Sequence, residues 1–83
     1  VNVNKWELYP IPFDHEITLR QEDVEAFQID IFSFEGKHVY KNLNSQGANI
    51  VPLDLSHLEK GIYITQIKNL SNNSIHYQKI IKK

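Results

Sequence analysis

Apolar and polar residues alternate along most of this chain with a period of two, the period of a half-buried strand. Trp6-Glu7-Leu8-Tyr9 alternates and is closed by Pro10 and Pro12. Proline has no N–H to give to a ladder, so it ends the strand or confines it to an edge. Glu16-Ile17-Thr18-Leu19-Arg20 alternates again, with Ile17 and Leu19 on one face. Phe27 to Phe34 is the clearest strand, Phe27, Ile29 and Ile31 facing one way and Gln28 and Asp30 the other. Ser33-Phe34-Glu35-Gly36 then has the residues of a type I turn, serine first and a glycine that accepts positive φ last. Lys37 to Leu43 returns as the partner strand with Val39 inward, which makes a β-hairpin.

A polar loop follows over Asn42 to Asn49, with Gly47 in it. Ile50 to Leu55 is the next strand. Ser56-His57-Leu58-Glu59 has the spacing of a capping box, but Gly61 comes so soon that one helical turn is the most that fits. Ile62 to Ile67 is nearly continuous apolar sequence, as expected of a strand in the middle of a sheet. Ser71 to Ser74 is a tight connection, and Ile75 to Ile81 is the last strand, ahead of Lys82 and Lys83. Seven short strands with turn signals roughly 8–12 residues apart predict an all-β fold, an immunoglobulin-like antiparallel β-sandwich. Residues 6–83 form this single domain and residues 1–5 read as the end of a linker.

Length and composition narrow the functions. At 83 residues the chain has room for one domain and little interior for a deep pocket. It has no cysteine, which removes disulfides, thiolate nucleophiles and Cys-based zinc sites. It also has no methionine, so the expectation is a piece cut from a longer protein. No apolar run suits a membrane-spanning helix, and a net charge of −1 argues against a dedicated nucleic-acid binder. The charge is uneven: residues 1–59 hold all ten acids, whereas residues 60–83 hold five lysines and no acid.

Candidate chemistry is sparse. His15, His38, His57 and His76 make no local metal pair, and no metal or other cofactor is expected. Asp14-His15-Glu16 reads as a solvated loop rather than an acid–base pair. Asp54, Ser56 and His57 are near in sequence without any nucleophile elbow around them, so no catalytic residue is assigned. Gly36, Gly47 and Gly61 are too scattered for a phosphate loop. Asn69 and Asn72 each begin a tripeptide of the N-glycosylation type. Among the nine aromatics, Phe27, Tyr63 and Tyr77 are expected in the core, and Trp6, Phe32 and Tyr40 are the candidates for exposure. Exposed rings on one face would mark a carbohydrate-binding or adhesive module, the alternative function.

Four groups of residues share a familiar order. They are Leu8-Tyr9-Pro10-Ile11-Pro12; Ile29 to Phe32 leading through Ser33-Phe34-Glu35-Gly36-Lys37; Val51-Pro52-Leu53-Asp54-Leu55 with Leu58 ahead of Gly61-Ile62-Tyr63; and Gln78-Lys79-Ile80-Ile81-Lys82. In this order the chain resembles the type A C-terminal sorting domain of type IX secretion cargo, over residues 6–83. Ile11 departs from the asparagine usual between the two prolines. The resemblance implies a non-catalytic address label at the C-terminus of an exported cargo protein. It implies transit through the periplasm, recognition by the outer-membrane type IX translocon and its shuttle proteins, and removal by a sortase-like protease. The cargo then reaches the cell surface or the medium. No nucleic-acid partner and no membrane insertion are implied. Tyr9, Pro10, Pro12, Gly36, Lys37, Leu58, Gly61 and Tyr63 are expected to serve the fold, with a Cβ at Gly36 or Gly61 obstructing the chain. The readable part is expected to be the last strand and tail: Lys79, Ile80, Ile81, Lys82 and Lys83.

Overall fold

The computed structural model describes residues 6–22, 25–44 and 49–83. Its strands are β1 (Trp6–Tyr9), β2 (Glu16–Gln21), β3 (Phe27–Ser33), β4 (His38–Asn44), β5 (Ile50–Asp54), β6 (Gly61–Asn69) and β7 (Ile75–Lys82). All pairings between them are antiparallel, in one sheet of order β1-β2-β5 and a second of order β4-β3-β6-β7. The period-two pattern is therefore read out as two sheets whose apolar faces meet.

The core lies between them. Leu8, Ile17, Leu19 and Leu53 come from the first sheet, and Phe27, Ile29, Ile31, Tyr63, Ile67 and Ile80 from the second. Val39 packs against this cluster from the point where the β3–β4 register shifts by one residue. Proline sits where the ladder tolerates it: β1 ends before Pro10, and Pro52 lies in β5, an edge strand.

The hairpin turn follows the sequence closely. The Gly36 N–H donates to the Ser33 carbonyl (2.9 Å), and the Lys37 N–H donates to the Ser33 hydroxyl (3.1 Å). Gly36 has φ +93° and Gly61 has φ +151°. A Cβ at either position would meet nothing within 4 Å, so the expected obstruction is absent. Backbone conformation is the reason for glycine there, because L side chains rarely adopt these φ values. Gly61→Val should cost about 1–3 kcal/mol, seen as a lower melting temperature of the isolated chain. An unchanged melt would show that φ at Gly61 relaxes freely.

Side-chain hydrogen bonds build two of the short connections. Ser56 to Glu59 forms no helix; the Ser56 N–H donates to the Asp54 carboxylate (3.1 Å) and the Leu58 N–H to the Leu55 carbonyl (3.1 Å). The bonds from Ser56, through its hydroxyl and its N–H, hold the Asp54 carboxyl below its usual range. Asn69 is fully buried, and its Oδ1 accepts the N–H groups of Ser71 (2.7 Å) and Asn72 (3.2 Å). That side chain builds the β6–β7 turn, in which Asn73 takes φ +62°. Gly47 lies outside the described residues.

Candidate functional site at the C-terminal strand

β7 is the last strand of its sheet, and β6 is its one strand partner among the described residues. Its burial follows the period-two rule: Ile80 is fully buried and Lys82 only 8% exposed, while Lys79, Ile81 and Lys83 face solvent. The five tail residues thus divide between two faces: Ile80 and Lys82 turn inward, and the side chains of Lys79, Ile81 and Lys83 turn outward.

Lys82 is anchored from an unexpected quarter. The loop from β1 to β2 brings Phe13 against the end of β7 as an isolated parallel bridge to Lys82. The Phe13 N–H donates to the Ile81 carbonyl, and the Lys83 N–H donates to the Phe13 carbonyl, both at 2.9 Å. The Phe13 ring is fully buried, and the Lys82 ammonium lies 5.6 Å from its centroid and donates to the Asp14 carbonyl. Lys83 adds an exposed ion pair to the Asp14 carboxylate, 3.7 Å long. Tyr9, Pro10 and Pro12, all exposed, lead the chain into this clasp. Phe13 is the residue that reading the sequence missed. It stands alone between a proline and the Asp14-His15-Glu16 loop, where no periodicity marks it.

Four of the remaining motif residues meet at the same end of the second sheet, where Gly61 pairs with Lys82. A cleft of about 510 Å³ lies between the β3–β4 hairpin and residues 57–63, and Lys37, Leu58, Gly61 and Tyr63 all line it. The Tyr63 hydroxyl donates to the Glu59 carbonyl at 2.6 Å. Burial, helped by the charges of Glu59 and Glu35, raises the pKa of the phenol above its usual value of 10.0. A group whose folded pKa is raised contributes stability that is complete below its unfolded pKa and is lost as pH climbs through the folded value. Between about pH 10 and the folded pKa, the domain should therefore lose stability that Tyr63→Phe does not lose. Parallel urea melts of the two chains above and below that pH measure the difference; equal slopes would refute it.

Two broad faces of the sandwich differ in charge. On the outer face of the first sheet stand Glu7, Glu16 and Asp54, with Arg20 held by Glu7 at 3.2 Å. On the outer face of the second stand Lys41, Lys68 and Lys79 among Phe32, Ile62, Ile64, Tyr77 and Ile81. None of those three lysines has an ion-pair partner among the described residues. The acid on that face, Asp30, is 8% exposed and accepts hydrogen bonds from Gln28 (2.9 Å) and His38 (2.9 Å).

Aromatic placement corrects two expectations. Tyr77 lies on the outer face and is 62% exposed, because Ile80 and Lys82 set the even-numbered residues of β7 inward. Trp6, Phe32 and Tyr40 are half-buried instead of exposed. Tyr9, Phe34 and Tyr77, the exposed rings among the described residues, stand on the first sheet, the hairpin tip and the second sheet. They do not share a face. His15, His38, His57 and His76 are all exposed, and among the described residues no three His, Asp or Glu side chains cluster to hold a metal ion. Ser56 and His57 do not pair as a nucleophile and base; the His57 ring lies beside Tyr40, 6.4 Å between centroids.

These features define an immunoglobulin-like β-sandwich. The same fold appears in the crystal structure of a DUF3244 family protein from Bacteroides vulgatus, with a TM-score of 0.75 at 13% identity over 96% of each chain. No curated protein sequence matches this chain. Residues 7–83 match the secretion system C-terminal sorting domain, and the chain belongs to that family, the sorting signal of type IX secretion.

Proposed function

We propose that this domain is a non-catalytic recognition module, read on its C-terminal strand by the outer-membrane type IX translocon and its shuttle proteins. Family membership makes the chain a sorting signal within a cargo protein of the type IX system. In the proposed sequence, the cargo domain N-terminal to this one folds in the periplasm, and the sandwich presents it to the translocon. A sortase-like protease then cuts in the linker, within or before residues 1–5. The cargo leaves for the cell surface or the medium.

The observation that carries the reading is the division of labour in β7. Ile80 and Lys82 lock the strand to the core and to Phe13, and so hold Lys79, Ile81 and Lys83 in a fixed row at a sheet edge. A preorganised edge with charged side chains is a surface that a partner can bind without first ordering it. The carbohydrate-binding alternative needs exposed rings on one face, and Tyr9, Phe34 and Tyr77 do not supply them.

The test is export of a passenger. A fluorescent protein with an inner-membrane signal peptide, followed by residues 1–83, should appear outside a host with a working type IX system. It should stay inside the same host with a disabled translocon. Retention in both hosts, with the fusion folded, would refute the reading.

A further inference from the structure

We propose that the upstream half of the β7 edge, Ile75 to Lys79, accepts an extended acidic strand from a partner protein. The proposal deepens the recognition reading above and rests on it. In an antiparallel pair each residue turns its N–H and C=O to the same side, alternately toward and away from its neighbour. The Asn69 N–H donates to the Ser74 carbonyl, so even-numbered residues of this arm turn toward β6. The Ile81 carbonyl and the Lys83 N–H reach Phe13 on the opposite side, so odd-numbered residues turn outward. Ile75, Tyr77 and Lys79 therefore present their backbone groups to the open edge, and none of these pairs with another backbone group among the described residues.

Phe13 already occupies the outward side of Ile81 and Lys83. Among the described residues, the open part of the edge is thus upstream of Ile81. The outward Lys79 carbonyl accepts the Gln78 side-chain amide at 3.2 Å, a place that the N–H of an added strand would take. Charge sets the partner's chemistry. Lys79 is exposed on the outer face, Lys68 stands in register with Ile75 on β6, and residues 60–83 contain no acid. A glutamate on the outer face of an added strand lies beside Lys79, whereas a second copy of this edge brings only more lysine. Lysine on an edge deters self-pairing and still admits an acidic strand.

The test uses the 83-residue chain and a synthetic peptide of about seven residues, a typical strand length, alternating valine and glutamate. Its counterpart carries lysine for glutamate. The glutamate peptide should shift the NMR signals of the Tyr77 and Lys79 amides and slow their hydrogen exchange. The lysine peptide should bind at least about tenfold more weakly. Lys79→Glu should weaken the glutamate peptide by about the same factor. Tyr77→Pro removes an outward N–H that β6 does not use, and should abolish protection; should that variant not fold, Lys79→Glu decides alone. Equal binding of both peptides, or no protection, would overturn the proposal. So would protection of the same amides that grows with protein concentration and needs no peptide, the mark of a second copy.

Passenger export separates the two readings. If the intact fusion is exported, and Lys79→Glu and Tyr77→Pro fusions are exported equally well, the edge proposal fails and the sorting role stands. If the intact fusion is retained, the sorting reading fails, and the peptide titration still decides the edge.

Discussion

Deleting Ile80 to Lys83 should unfold the domain at room temperature. Ile80 is fully buried among core residues, and removing a buried isoleucine costs about 2–5 kcal/mol. The deletion also removes the β7 residues paired with Gly61, Ile62 and Tyr63. Phe13 loses both of its backbone partners, Ile81 and Lys83, and the Lys82 cover over its ring. A chain of this size has a total stability of roughly 4–12 kcal/mol, so these losses together take most or all of it. Circular dichroism of the truncated chain should show no cooperative melt. A melting temperature within about 5 °C of the intact chain, a shift worth only about 1 kcal/mol, would refute the expectation. The result bears on function: a secretion defect in such a truncation reports lost folding, whereas Lys79→Glu tests recognition by itself.

Phe13→Ala should be the most damaging single substitution outside the regular strands. The ring is fully buried and belongs to the core cluster, although the residue lies in the loop between β1 and β2. Phenylalanine-to-alanine changes in cores cost about 3–5 kcal/mol. For a domain of this size that corresponds to a fall in melting temperature on the order of 20 °C. Alanine keeps the N–H to Ile81 and the carbonyl for Lys83, so the loss isolates the ring from the backbone bridge. Tyr77→Ala, an exposed site on the same edge, should move stability by no more than about 0.5 kcal/mol and serves as the control. Equal effects of the two substitutions would show that the Phe13 ring contributes nothing beyond an exposed side chain.

Local chemistry made much of the fold legible. The alternation of Ile17 with Leu19, and of Phe27 with Ile29 and Ile31, states which faces turn inward, because successive side chains of a strand point to opposite sides. Ser33 and Gly36 announce their turn, because one supplies a hydroxyl acceptor and the other accepts φ +93°. The four motif groups, read in order, were sufficient to suggest the family to which the chain belongs. Tyr77 shows the limit of local pattern. It looks like core beside Ile75 and Ile81, yet its face is set by where Ile80 and Lys82 lock against distant parts of the chain.

The chain's own sequence determined the strand count, the hairpin turn, the glycines and the concentration of lysine after residue 59. Each of these depends on neighbours within a few positions: the pleat, a turn's φ, a local charge. Tertiary structure alone decided that Phe13, 69 residues before Lys82, joins the last strand, and that Ile80 and Lys82 face inward. It also decided which lysines share the outer face of the second sheet and which part of the β7 edge is unpaired among the described residues. Those outcomes follow from how two sheets stack and where the β1–β2 loop lands, contacts between residues far apart in the chain that a short-range period does not encode.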